Sequence, residues 1–186
     1  MSSDDKVSKS NPRFIISLIA CILVGLTFLL SGSGKLIAFG EIPGQTAEFI
    51  GYVLPDAWLT TTSVFIIYDI FIPWIIPIAE LALGILLLVG FMPRLMAILC
   101  IPLTLVFMAN NAFSISIGLS EYSSCECFGI WEEIFGTLTP LQSLGYDIVL
   151  FALALVIIFV FPAGILQSQR WLRGIGKKKE NSAVEG

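Results

Sequence analysis

Two cysteines one residue apart, in Ser124-Cys125-Glu126-Cys127-Phe128-Gly129, carry the most evident chemistry of this 186-residue chain. A disulfide needs Cα atoms about 4.4 to 6.8 Å apart, and a C-x-C pair reaches that range only over a bent backbone. The bond so formed is strained and more easily reduced than a relaxed one, which suits it to exchange with a partner thiolate. Glu126 opposes thiolate formation beside it, favouring a pair that accepts attack over one that delivers it. A structural loop disulfide, or two free thiols, uses the same residues without turnover.

Cys21 and Cys100 stand inside apolar runs, each a few residues beyond a basic flank, Arg13 and Arg94. Shared depth would make them a second thiol pair, able to pass electrons inward; buried cysteine also serves simply as a small hydrophobe. Glu80 falls near the middle of an apolar run, where a carboxylate needs protonation or a partner, and Lys35, Asp69 or a water-lined cavity is expected to satisfy it. The stretch Ser31-Gly32-Ser33-Gly34-Lys35-Leu36 lacks the glycine and the Ser or Thr of a phosphate loop, so its small residues are expected to let helices approach closely. The chain has no histidine, which removes the commonest metal ligand and acid/base group; no metal site is expected.

The elements that must position these residues are set by solvent. With 56% hydrophobic and 13% charged residues, the chain lies outside the soluble range, and its apolar runs have the roughly 20 residues that cross a bilayer. The expected fold is all-α: a four-transmembrane-helix bundle with spans at about 14–39, 70–91, 95–114 and 143–161, within a membrane domain over 14–166. Residues 1–13 read as a disordered leader and 167–186 as a basic tail. The first run is too long for the core of a cleaved signal and is expected to be retained. Pro73 and Pro77 mark the start of the second span, and Phe91-Met92-Pro93-Arg94 a tight turn into the third. The connection between the first two spans is expected on the membrane surface, and residues 128–138 as a short interfacial helix.

Orientation follows from the basic residues. All ten lysines and arginines except Lys35 lie in the leader, at Arg94 or in the tail, and such residues are retained on the cytoplasmic side. Both termini are therefore expected in the cytoplasm of a multi-pass inner (plasma) membrane protein, with the two acidic connections, including Cys125 and Cys127, outside.

The chain resembles the MauE branch of the DoxX-like membrane proteins. The likeness rests on Ser31 to Leu36 in the first span, on Glu80 with Gly84 and Gly90 in the second, and above all on Cys125-x-Cys127-Phe128-Gly129 between the third and fourth. Glu126 stands where the family pattern carries glycine. The resemblance implies a four-helix protein linked to methylamine utilisation, which helps mature a disulfide-rich dehydrogenase subunit together with a thioredoxin-like partner.

Three functions are compatible with these residues. Cys125 and Cys127 cycle between disulfide and dithiol, exchanging electrons with a thioredoxin-like periplasmic protein or a disulfide-rich client. Alternatively, the bundle is a non-catalytic subunit or assembly factor with a structural cysteine clasp. In the third, Glu80 forms a proton path or small transporter, which ranks lowest because the spans show a single central charge. No cofactor is evident from sequence beyond a possible quinone, and the expected partners are membrane lipid and the thiol proteins, with no nucleic acid.

Overall fold

In the first apolar run the large aliphatic residues and the small or polar ones occupy opposite faces, and they do so inside out. A computed structural model, which describes residues 12–37, 44–54, 61–118 and 128–161, folds this run as helix α1 (Pro12–Ile37). Its buried face carries Ser17, Ala20, Cys21, Val24, Gly25, Phe28, Ser31 and Gly32 at helical spacing. Ile15, Ile16, Ile19, Leu23, Leu26 and Leu30 point outward. Water would select the reverse arrangement; lipid tails are as apolar as leucine, so small residues that permit close packing go inside.

The second span is built in two pieces. A short helix α3 (Thr61–Phe65) leads into a wide π turn over Ile66–Ile75, which contains Pro73, and then into α4 (Ile76–Val89), with Pro77 in its first turn. A proline lacks the N–H that an α-helix interior requires, and a wide turn is one way to accommodate it. Helix α2 (Gly44–Val53) occupies the preceding connection.

Gly90 ends α4 in the left-handed conformation (φ 75°, ψ 30°). Its N–H reaches the Leu87 carbonyl at 3.1 Å, and the Phe91 N–H reaches that of Leu86 at 2.9 Å. This paired closure satisfies carbonyls that lipid cannot solvate. Met92 is also left-handed (φ 43°), and Pro93 opens α5 (Pro93–Ser116), so the expected tight turn is present. After a 3-10 turn at Gly129–Trp131 and helix α6 (Glu132–Phe135), α7 runs from Pro140 to Val160. Thr139 and Gln142 form a reciprocal cap at its start, which satisfies two orphan donors at the membrane edge.

Among the described residues, four helical stretches are long and apolar enough to span a membrane: Pro12–Ile37, Ile70–Val89, Pro93–Ser116 and Pro140–Val160. They match the four expected spans within a few residues, and no strand occurs among the described residues. Helix α1 packs most extensively on α4, α5 on α7, and α1 also lies against α7. Gly32 meets Pro77 and Leu81 while Gly25 meets Gly84 and Leu88, so α1 and α4 run antiparallel. A methyl added at Gly32 or Gly84 would come within 2.6 Å of the opposing backbone, which is the close approach expected of the small residues in 31–36.

Candidate functional site

Glu80 is fully buried within α4 and takes both of its partners from α1. Its Oε1 is 2.8 Å from Lys35 Nζ, and its Oε2 accepts a hydrogen bond from the Ser31 hydroxyl at 2.6 Å. Of the three partners expected from sequence, Lys35 is the one that makes the ion pair. Asp69 lies in the π turn, with its side chain outside the described residues. Lys35 also sits over the Phe107 ring of α5, 4.6 Å from its centroid, an arrangement that holds the ammonium without hydration on that side.

A second buried polar group joins α5 to α7. The Asn111 amide donates to Asp147 Oδ2 at 2.8 Å and to the Ser143 hydroxyl at 3.1 Å, and all three residues are buried. Asp147 is within electrostatic reach of both Lys35 and Glu80. Ser31, Lys35, Ser143 and Asp147 line one small cavity of about 50 Å³, closed on one side by Phe107 and Phe128. The spans therefore carry a second buried carboxyl group besides Glu80. Sequence reasoning missed Asp147, Asn111 and Ser143; the signal that would have found Asp147 is the rule that an ionisable residue within a span is functional by default.

Onto this polar end of the bundle the segment after the cysteine motif is pressed closely. Gly129 adopts φ 54°, and a methyl on it would fall 2.5 Å from the Gly34 carbonyl carbon. A methyl on Gly34 would in turn collide with the Phe128 carbonyl oxygen. Only glycine permits both the left-handed turn and this contact between backbones. The Trp131 indole N–H donates to Ser33 Oγ at 3.1 Å, and the Phe128 N–H to Glu132 Oε1 at 3.0 Å. The Phe128 ring meets Tyr146 of α7 edge-on at 6.0 Å. These four contacts join the motif's downstream residues to α1, α6 and α7. Cys125 and Cys127 themselves lie outside the described residues.

Cys21 and Cys100 are both fully buried, belong to one core cluster and lie within electrostatic reach of each other. They are free thiols. Ten residues of α1 separate Cys21 from Ser31, about 15 Å at the α-helical rise of roughly 1.5 Å per residue. Thiol exchange needs sulfur–sulfur contact, so this pair is set apart from the polar end. Among the described residues no group of three or more cysteine or acidic side chains is arranged to hold a metal.

Beside the small cavity is a much larger one of about 740 Å³, whose walls come from α2, the π turn, α5 and residues 129–137. Phe49, Phe71 and Phe107 line it together with Lys35, Asn110 and Glu132.

Searches of curated proteins and of solved structures return no match. The family model described as methylamine utilisation protein MauE matches residues 13–162, a stretch that contains all of the four spans but Pro12, both buried polar groups and the Phe128–Gly129 contact. On that match the chain belongs to the MauE family of membrane proteins.

Proposed function

We propose that this MauE-family protein supports thiol–disulfide exchange outside the cytoplasm, with Cys125 and Cys127 as the exchanging pair. The observation that carries the reading is the Gly34–Gly129 contact. It fastens the chain two residues after Cys127 to the end of α1 that bears Lys35. A cation favours a thiolate that comes near it, and this end of α1 carries Lys35, paired with Glu80.

A client thiolate attacks one sulfur of the Cys125–Cys127 bond, forming a mixed disulfide and releasing the other cysteine as thiolate. A second client thiolate then displaces the first cysteine. The client gains a disulfide, and the motif takes up two electrons. A disulfide-rich subunit, delivered directly or through a thioredoxin-like protein, has the chemistry of such a client, and the family's description points to methylamine utilisation as its setting. The distribution of basic residues supports an inner-membrane orientation with both termini cytoplasmic.

The test replaces Cys125 or Cys127 with serine and traps the thiols of periplasmic proteins. Accumulation of reduced client is the expected result; client oxidation equal to wild type removes the reading. An impermeant alkylating reagent applied to intact cells before and after reduction should label the motif only after reduction. Labelling that requires membrane disruption would place the motif on the wrong side.

The second carboxyl at Asp147 favours one further reading, in which Glu80 and Asp147 form a proton path. It requires that Glu80→Gln abolish function while both cysteine variants retain it.

A further inference from the structure

We infer that the 740 Å³ cavity binds the head ring of a membrane-soluble quinone, which takes up the electrons collected by Cys125 and Cys127. The inference rests on the thiol-exchange reading and names its electron acceptor.

Three features of the cavity select this ligand class. Its volume of about 740 Å³ falls within the roughly 300 to 1,000 Å³ of small-molecule sites. Its wall carries Phe49, Phe71 and Phe107, rings against which a flat ring can pack offset or edge-on. Its polar groups come in complementary kinds. Lys35 is a donor with N–H groups beyond the one directed at Glu80. Glu132 is 6% exposed, and its Oε2 has no hydrogen-bond partner among the described residues; the same holds for Asn110 Oδ1. A buried acceptor left unpaired is costly, so a ligand hydroxyl that reaches it is favoured. A quinone accepts hydrogen bonds through its carbonyls, and its reduced form donates them through its hydroxyls. The donor at Lys35 suits the first state and the acceptors at Asn110 and Glu132 suit the second.

Other amphipaths fit less well. A phospholipid phosphate or a fatty-acid carboxylate would bring negative charge to a wall that contains Glu132 and Glu133 and whose Lys35 is already paired with Glu80, and like charges repel. A neutral isoprenoid alcohol has no carbonyl for Lys35. Gly129 also lines the cavity, two residues from Cys127 in the chain. The reaction balances without a further reagent: the two thiols lose two electrons and two protons to form the disulfide, and the quinone takes up both to become the hydroquinone.

The test uses the full chain in nanodiscs with Trp58, Trp74 and Trp171 replaced by phenylalanine, so that quenching by short-chain ubiquinone reports on Trp131. Saturable quenching is expected, retained when Cys125 and Cys127 are both serine and weakened at least tenfold by Asn110→Leu and by Ile50→Phe, which narrows the cavity without adding a second tryptophan. Non-saturable quenching that is equal in all variants overturns the inference. Displacement of the quinone by an isoprenoid alcohol at equal concentration also overturns it, since the cavity is then a general lipid site. Saturable binding that is weakened by both cavity variants, in a protein whose cysteine variants leave client oxidation unchanged, keeps the quinone site and removes the thiol reading instead.

Discussion

Lys35 and Glu80 meet at 2.8 Å across the α1–α4 interface, and the carboxylate is fully buried while the lysine side chain keeps 22% of its exposure. Removing one member of such a pair leaves an uncompensated charge, which costs more than removing both. Lys35→Met is therefore expected to destabilise the bundle by about 3 kcal/mol, the low end of the range for broken buried pairs because Lys35 is partly exposed. The double variant Lys35→Met/Glu80→Gln should recover more than half of the loss. A double-mutant cycle by reversible unfolding in detergent measures both, and additive losses would contradict the pairing.

Asn111 provides donors to both Ser143 and Asp147, so Asn111→Leu removes a hydrogen bond from two buried residues at once. A loss of about 1 to 3 kcal/mol is expected, with Asn111→Gln no substitute because the longer side chain alters the geometry. Thermal unfolding followed by helical circular dichroism reads it. An unchanged midpoint would mean that the α5–α7 contact stands without this network.

Gly34→Ala and Gly129→Ala each force apart the same two backbones. Either change is expected to lower the rate of client oxidation on the order of tenfold to a hundredfold, the scale set by small misplacements of reacting groups, while insertion in the membrane is unchanged. Client thiol trapping over time gives the rate, and wild-type rates in both variants would detach the motif from the end of α1.

Cys21 and Cys100 are buried in the core some 15 Å along α1 from the polar end, at roughly 1.5 Å per residue. Replacing both with alanine should cost about 1 kcal/mol, as for loss of a small apolar group, and leave client oxidation intact. Loss of oxidation with normal folding, scored by thiol trapping beside a melting curve, would instead make them a relay.

The parts legible in the sequence are those governed by hydrocarbon and by one strong local rule. Span lengths followed from the width of the bilayer, the turn at Phe91-Met92-Pro93-Arg94 from proline chemistry, and the need of Glu80 for a partner, with Lys35 one of three candidates, from the cost of charge in lipid. Asp147 was not legible because it falls only a few residues inside the expected start of the fourth span, where polar residues are ordinary. Asn111 is neutral and leaves little trace in a hydropathy pattern. The wide turn over Ile66–Ile75 begins before the expected boundary at residue 70, since turn width leaves hydrophobicity unchanged. The Gly34–Gly129 contact joins distant parts of the chain, and nothing local to either glycine announces the other.

That last contact sets a short tether on the downstream side of the cysteine pair. Downstream, Phe128 alone separates Cys127 from the fixed glycine, so a single inserted residue would alter the reach and facing of the thiols. The short interval behind the motif thus works as a ruler.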